Sequence, residues 1–310
     1  MPLGLDAVAQ GGKAALARAL ALLERAPEGA EALALLAAAW QAPRAQVVGI
    51  TGPPGVGKST LTGALLAEAR RRGRRVAVVA VDPSSKASGG ALLGDRLRLE
   101  SDPEDPDSFV RSMAARDRLG GLARETFAAV VLLRALYDLV LVETVGVGQS
   151  ETDVAELADT VVFCVQPASG DAVQFMKAGI VEIPEIAVVT KADLGNAARR
   201  ALADLKGALS LARADADWSV ACLALAARAP GAAATLLDAV ERHWAHLGEA
   251  GRLAGRRGRQ AQAWLAASLR ELYGTRGLAK VAGRLAQADA ASPFARLVEL
   301  GRGIEGGGTP

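Results

Sequence analysis

The chain has 310 residues, a formal net charge of +2 and 51% hydrophobic residues. This length favours one domain with extensions or two domains, and the hydrophobic share is ample for a core. Because positive and negative charges nearly balance, we expect neither a nucleic acid nor a membrane as a partner. No apolar run approaches about 18 residues, and no signal-peptide pattern opens the chain, so we expect a protein of the cytoplasm or of an equivalent matrix compartment.

The first predicted elements lead into a glycine-rich loop. Residues 5–40 are rich in alanine and leucine and are broken near Pro27, which predicts a pair of helices. A short apolar run at 47–50 then predicts a buried strand, and 61–71 predicts a helix. The loop between them matches the motif G-x-x-x-x-G-K-[ST] in full. The candidate phosphate-binding residues are Gly52, Pro53, Pro54, Gly55, Val56, Gly57, Lys58, Ser59 and Thr60.

Strand, loop and helix come in the order that this motif requires. The glycines allow backbone N–H groups to turn onto phosphate oxygens, and the following helix points its positive end at them. We expect Lys58 to reach the β- and γ-phosphates and Ser59 to place its hydroxyl on Mg²⁺. A glycine turn that binds nothing is the alternative, and the complete context disfavours it.

The second predicted strand, 76–81, is followed by an acidic residue and a long polar segment. Asp82 is placed to hold Mg²⁺ directly or through water, although an Asx turn would also explain it. Residues 86–107 are rich in Gly, Ser, Asp and Pro and are too long for a simple connection. We interpret them as a switch loop that orders when the γ-phosphate and Mg²⁺ are present, with Asp95 as a further metal ligand.

The third predicted strand, 139–143, ends in a carboxylate three residues before a glycine, as in a Walker-B and switch-II segment. We expect Glu143 to approach Mg²⁺ through water, and the N–H of Gly146 to contact the γ-phosphate. Gln149 and Glu151 are both candidates to orient the attacking water. The sequence does not choose between these two.

Further strands at 161–165, 186–190 and 218–223 alternate with helices at 123–136, 170–182, 196–212 and 233–247. Near-continuous apolar strands that alternate with helices predict a parallel sheet covered on both faces. Ligands of such sheets lie beyond the carboxyl ends of the strands. All the motifs therefore belong to one shared site.

The segment Thr190-Lys191-Ala192-Asp193 matches the base-reading motif [NT]-K-x-D. The Asp193 carboxylate can accept hydrogen bonds from guanine N1–H and the exocyclic amine, which adenine does not present, so we expect GTP and not ATP. The stem of Lys191 would cover the base, and Thr190, where Asn is more usual, removes an amide contact. Backbone N–H groups of the loop Ala226, Ala227 and Arg228 would face guanine O6.

Beyond residue 248 the pattern is helical only, with helices at 251–273, 277–288 and 292–300. This tail would be a lid, a second domain or an oligomerisation arm. We therefore predict an α/β fold. A P-loop NTPase domain with a mostly parallel sheet flanked by helices spans residues 44–248, between an N-terminal helical extension at 1–43 and a C-terminal helical arm at 249–310.

Together these motifs resemble the MeaB/ArgK family of GTPases, which are chaperones of adenosylcobalamin-dependent acyl-CoA mutases, including methylmalonyl-CoA mutase. The resemblance covers about residues 5–300 and rests on segments 52–60, 81–85, 89–95 and, above all, 143–151. It implies hydrolysis of GTP to GDP and phosphate with Mg²⁺, gating of cofactor loading, protection or reactivation of the mutase, and a homodimer formed through the C-terminal arm. It also implies that segment 170–177, which ends at Lys177, is an additional switch through which the mutase accelerates turnover.

Three other functions compete with this interpretation, and one of them is a module that binds GTP without hydrolysing it. A GTPase that inserts a metal centre would need a tract rich in His or Cys, whereas this chain has two of each, dispersed along the sequence. An ATP-dependent kinase linked to amino-acid transport would need an adenine site and a phospho-acceptor partner. We expect Cys164 and Cys222 to be buried apolar residues, and we expect no metal site at His243 and His246.

Overall fold

The computed structural model describes residues 3–83, 104–115, 124–144, 153–167, 182–212, 217–285 and 292–306. The chain forms two compact units. The helical unit comprises Met1–Ala45, Arg124–Leu136 and Ala254–Pro310, and the sheet unit comprises Gln46–Ala123 and Tyr137–Leu253. The predicted division at residues 43/44 and 248/249 stays a prediction, and α5, defined below, falls in the helical unit.

The helices follow one another along the described residues. They are α1 Leu5–Gln10, α2 Gly12–Arg25, α3 Ala30–Gln41, α4 Lys58–Arg71, α5 Arg124–Leu136, α6 Asn196–Ala212, α7 Ala232–Gly248, α8 Arg252–Leu285 and α9 Pro293–Glu305. The predicted N-terminal pair is in fact three helices, because the chain turns at Gly12, where φ is +62°. Within the described residues, no helix is long and apolar enough to cross a membrane.

Within the part of the chain that the structure describes, the sheet unit is built on seven parallel strands. They are β1 Gln46–Thr51, β2 Val76–Pro83, β3 Ser108–Ala115, β4 Leu139–Glu143, β5 Thr160–Val165, β6 Ile186–Val189 and β7 Ala221–Ala224. Their spatial order is β3-β2-β4-β1-β5-β6-β7. The chain builds β2, β3 and β4 on one side of β1 and then crosses to the other side. The loop after β1 therefore lies where the connections change direction, which is where open α/β sheets bind their ligands.

Both faces of the sheet are buried, as the apolar strands predicted. Successive strand residues point to opposite faces, and the two faces pack on different helices. One face joins α4 and α7 in a cluster that includes Val48, Ile50, Val162, Cys164, Leu61, Leu65, Leu236 and Val240. The opposite face of β5 and β6 packs on α6 through Phe163, Val165, Ala187, Val189, Ala198 and Leu205. The predicted fold class is confirmed.

Strand β3 was not predicted. It pairs with β2 along its whole length, from Val76 opposite Ser108 to Pro83 opposite Ala115. The sequence does not indicate this strand, because Arg111 and Ser112 interrupt the apolar pattern. An edge strand tolerates such an interruption better than a central strand does. The approach to β3 is fixed by α4, where the Arg70 guanidinium donates to both Asp105 carboxylate oxygens at 2.7 and 2.9 Å. These hydrogen bonds lower the pKa of Asp105.

The helical unit has its own core. Phe127 of α5 stacks on Trp264 of α8 with ring centroids 5.0 Å apart, and Trp264 meets Phe294 of α9 at 4.8 Å. Helix α8 covers two predicted helices, which Gly274 separates with non-helical backbone angles (φ 69°, ψ 180°). Ser292 caps α9 by accepting a hydrogen bond from the Ala295 N–H. The predicted helix at 170–182 begins in residues outside the described ones.

Candidate nucleotide site

The loop between β1 and α4 has a shape that only glycine permits at three positions. Gly52, Gly55 and Gly57 have φ values of 137°, 74° and 99°, a region that residues with a side chain rarely adopt. At Gly52 the restriction is also steric, because a Cβ there would lie 2.1 Å from the Cys164 carbonyl oxygen of β5. The loop therefore passes β5 closely and turns its backbone into the start of α4.

The Lys58 ammonium lies across this loop. Lys58 is the first residue of α4 and is 7% exposed. Its Nζ donates to the carbonyl oxygens of Gly52, at 2.8 Å, and Pro53, at 3.0 Å. A buried cation and the positive end of a helix thus meet at one point, which is the electrostatic requirement for holding a phosphate.

Ser59 and Glu143 meet at the carboxyl ends of β1 and β4. The Ser59 hydroxyl donates to Glu143 Oε1 at 2.5 Å, and Glu143 is 6% exposed. Hydroxyl and carboxylate oxygens suit Mg²⁺, which commonly uses one or two carboxylates together with substrate phosphates. The Ser59 hydroxyl and the Glu143 carboxylate therefore fit a cation that is shared with a phosphate ligand.

The other predicted acidic ligand, Asp82, lies on the neighbouring strand. Ala80 of β2 pairs with Glu143, so Asp82 lies two residues further along β2, toward the same edge of the sheet. Five predicted site residues fall outside the described part of the chain. They are Asp95, Gly146, Gln149, Glu151 and Lys177.

Two threonines that the sequence analysis did not single out support Glu143. The Thr144 hydroxyl donates to Thr51 Oγ1 at 2.9 Å, and the Thr144 N–H donates to the Ile50 carbonyl at 3.1 Å. Both threonines are buried. They join the ends of β1 and β4 beside the carboxylate. A hydroxyl residue at each of two strand ends was the available signal, but the sequence alone does not show that β1 and β4 are neighbours.

The base-reading motif contacts the phosphate loop directly. Lys191, in a left-handed conformation with φ 52°, donates from Nζ to the Gly55 carbonyl at 3.3 Å and to Gln166 Oε1. The Thr190 hydroxyl lies 2.7 Å from the Val56 carbonyl. Thr190 therefore keeps a link to the phosphate loop, although an amide contact was expected to be lost there. Asp193 is exposed in the turn Ala192–Leu194.

The loop after β7 lies beside this motif. The Leu225 N–H donates to the Val189 carbonyl at 2.9 Å, and the Ala192 N–H donates to the Leu225 carbonyl at 3.3 Å. Ala226 and Ala227 are half-buried and Arg228 is exposed. The backbone of this loop is therefore adjacent to the residues expected to meet the base.

Cys164 is close to the site, but its thiol has low reactivity. It is fully buried in β5, and burial raises the pKa of its thiol to about 12, while the charges of Lys58 and Glu143 act in opposite directions. A thiol with such a pKa is almost entirely protonated at neutral pH and is a poor nucleophile. Cys222 is half-buried, so the expectation that both cysteines are buried holds only for Cys164.

Comparison with known proteins gives the family of this chain. Residues 16–280 match the sequence profile of the family described as methylmalonyl Co-A mutase-associated GTPase MeaB. The chain belongs to the MeaB family. The resemblance inferred from the motifs is thereby confirmed, and the family is one of GTPases.

Individual relatives agree with this assignment. A Mycobacterium bovis protein named a probable GTPase is 42% identical over 270 residues, which cover 84% of this chain and 80% of the relative. The mouse mitochondrial protein named methylmalonic aciduria type A homolog is 39% identical over 225 residues, covering 70% of this chain and 54% of that protein. A Pyrococcus horikoshii relative is 56% identical over 150 residues, which are 48% of this chain and about half (47%) of the relative.

A solved structure extends the likeness to nearly the whole chain. The crystal structure of an LAO/AO transport system kinase superposes with a TM-score of 0.67 at 27% identity, covering 97% of this chain and 96% of the other. This likeness includes the helices outside the sheet unit.

Proposed function

We propose that this MeaB-family protein hydrolyses GTP with Mg²⁺ and that the nucleotide state regulates an adenosylcobalamin-dependent acyl-CoA mutase. The observation that carries the hydrolytic part is the contact between Ser59 and Glu143 beside the buried Lys58 ammonium. The candidate Mg²⁺ site at Ser59 and Glu143 and the candidate phosphate site at Lys58 are therefore adjacent. The choice of the mutase as partner rests on the family description.

The phosphates are held by the loop from Gly52 to Thr60. Lys58 exchanges its carbonyl partners for phosphate oxygens, because a phosphate carries the negative charge that a neutral carbonyl lacks. Ser59 and Glu143, together with Asp82 and Asp95, would hold Mg²⁺, which would supply positive charge to the phosphates.

Hydrolysis and sensing are assigned to the remaining predicted residues. The Gly146 N–H meets the γ-phosphate, and Gln149 or Glu151 orients the attacking water. The mutase completes the site by reordering segment 170–177, which includes Lys177. We propose that the protein acts as a homodimer in the cytoplasm.

Base selection rests on Asp193, which accepts two hydrogen bonds from guanine, with Lys191 over the base. We expect Asp193→Asn to weaken GDP binding by about 10- to 100-fold, because a hydrogen bond to a charged group contributes about 1.5–3 kcal/mol. The same change should strengthen binding of xanthosine diphosphate, whose additional carbonyl accepts from the new amide.

This prediction is checked by displacing a fluorescent GDP analogue with GDP, ADP and xanthosine diphosphate. Asp204→Asn, at an exposed position of α6, is the matched control and should bind GDP like the unaltered protein. If Asp193→Asn keeps its GDP affinity, Asp193 does not contact the base.

An ATP-dependent kinase is the second candidate, because the likeness to the transport system kinase spans nearly the whole chain. The two candidates differ in the nucleotide that they bind. In direct competition, the GTPase proposal requires GTP to displace the probe at much lower concentration than ATP. Preference for ATP, together with phosphate transfer to a protein, would favour the kinase.

The partner is tested by capture on the immobilised chain of a purified cobalamin-dependent mutase. GDP and a non-hydrolysable GTP analogue are compared. We expect the amount of retained mutase to depend on the nucleotide. If the immobilised chain retains no mutase with either nucleotide, the result would argue against the mutase as partner.

A further inference from the structure

The end of β5 contributes a side chain to the base-reading motif. Gln166 directly follows β5 and is half-buried. Its Oε1 accepts a hydrogen bond from Lys191 Nζ. The same ammonium donates to the Gly55 carbonyl oxygen at 3.3 Å. The amide orientation is set by chemistry, because an ammonium only donates and must therefore face the amide oxygen.

The neighbouring residue repeats this pattern. The Thr190 hydroxyl lies 2.7 Å from the Val56 carbonyl of the phosphate loop and 3.0 Å from the Val165 carbonyl of β5. The Thr190 N–H also donates to the Val165 carbonyl at 2.8 Å. Two successive motif residues thus each bridge the phosphate loop and the end of β5. Three of the four acceptors in these bridges are backbone carbonyls, and the fourth is the side chain of Gln166.

Lys191 needs such support more than Thr190 does. Its side chain is exposed and has four rotatable carbons, so fixing one rotamer costs conformational entropy. The Gly55 carbonyl alone holds the ammonium at a long distance. A second acceptor, Gln166 Oε1, restricts the rotamers of the Lys191 side chain before a nucleotide binds. Such preorganisation raises affinity.

We propose that Gln166 is a positioning residue for nucleotide recognition, which holds the Lys191 stem where it covers the face of the guanine base. This inference rests on the proposed function, since it requires Lys191 to meet a base. Because Gln166 accepts a hydrogen bond from Lys191, whose stem would cover the base, we expect Gln166 to act on binding of the nucleoside part and not on the hydrolytic step.

The test compares Gln166→Leu, which keeps the side-chain size and removes the acceptor, with Gln166→Glu, which retains an acceptor. The readouts are the Kd of a fluorescent N-methylanthraniloyl-GDP, the Kd of inorganic tripolyphosphate, and KM and kcat for GTP. For Gln166→Leu we expect about a tenfold weaker GDP Kd and a higher KM, with tripolyphosphate binding and kcat unchanged. Gln166→Glu should bind GDP within about twofold of the unaltered protein.

Two controls separate positioning from loss of structure. Gln10→Leu, at an exposed position of α1, should change none of these values. In a Lys191→Met background, Gln166→Leu should weaken GDP binding no further, since the two residues act through one contact. An unchanged GDP Kd in Gln166→Leu, or equal losses for GDP and tripolyphosphate, overturns the inference. If the unaltered protein itself does not prefer GDP to ADP, the proposed function fails instead.

Discussion

Replacement of Lys58 by alanine is expected to lower kcat for GTP hydrolysis by a factor on the order of 10²–10³ or more. The Lys58 ammonium is buried and donates to two carbonyl oxygens of the phosphate loop. Its position is fixed because Lys58 lies in the first turn of α4. Phosphoryl transfer depends on positioning and on stabilisation of charge on the equatorial oxygens. Loss of this charge removes an interaction that water cannot replace in a buried site.

Phosphate release measured over time with saturating GTP checks this expectation. Lys280→Ala, at an exposed position of α8, should hydrolyse GTP at the normal rate. The thermal unfolding of each variant is also measured. Lys58 donates hydrogen bonds to the Gly52 and Pro53 carbonyls, so its removal is expected to destabilise the fold. Full activity in a folded Lys58→Ala protein would contradict the assignment of the phosphate loop.

Replacement of Gly52 by alanine is expected to destabilise the sheet unit by about 2–5 kcal/mol and to abolish nucleotide binding. The added Cβ would lie 2.1 Å from the Cys164 carbonyl oxygen, which is well inside contact distance. The obstacle is backbone in β5, a strand paired on both sides by β1 and β6, so it cannot move aside without breaking strand pairing. The positive φ of 137° adds strain.

Gly55→Ala is the matched control within the same loop. It also has a positive φ, of 74°, but an added Cβ would meet nothing within 4 Å. We therefore expect a loss of only about 1 kcal/mol from backbone strain. Urea unfolding of both variants measures the difference. If Gly52→Ala is no less stable than Gly55→Ala, the close passage of the loop against β5 is not a determinant of the fold.

Much of the fold could be predicted because the signals are local. The apolar runs of β1, β4 and β5 are unbroken, and α6 was predicted with the bounds that the structure gives it. Strand β3 was missed because Arg111 and Ser112 interrupt its pattern, and because its pairing with β2 is a long-range property. The two helices predicted at 251–273 and 277–288 match the two parts of α8, because Gly274, with non-helical backbone angles, separates them at a kink.

The candidate site was predictable where one motif supplies the geometry, as for Lys58 and Ser59. The supporting contacts were not predictable, because each joins segments that are far apart in the sequence. Thr51 meets Thr144, and Gln166 meets Lys191, only because β4 and β6 flank the central strands. Thr190 shows the same limit, since its bond to the Val56 carbonyl requires knowledge of where the phosphate loop passes.

The central claim is that the nucleotide site is a switch that a mutase reads, and its most direct test is the steady-state rate of GTP hydrolysis with and without a purified adenosylcobalamin-dependent acyl-CoA mutase. A group that a partner completes can change such a rate by on the order of 10³–10⁵. We predict slow hydrolysis by the chain alone and a saturable rise in kcat as the mutase is added, which Lys58→Ala abolishes. A rate that every such mutase leaves unchanged would contradict the account.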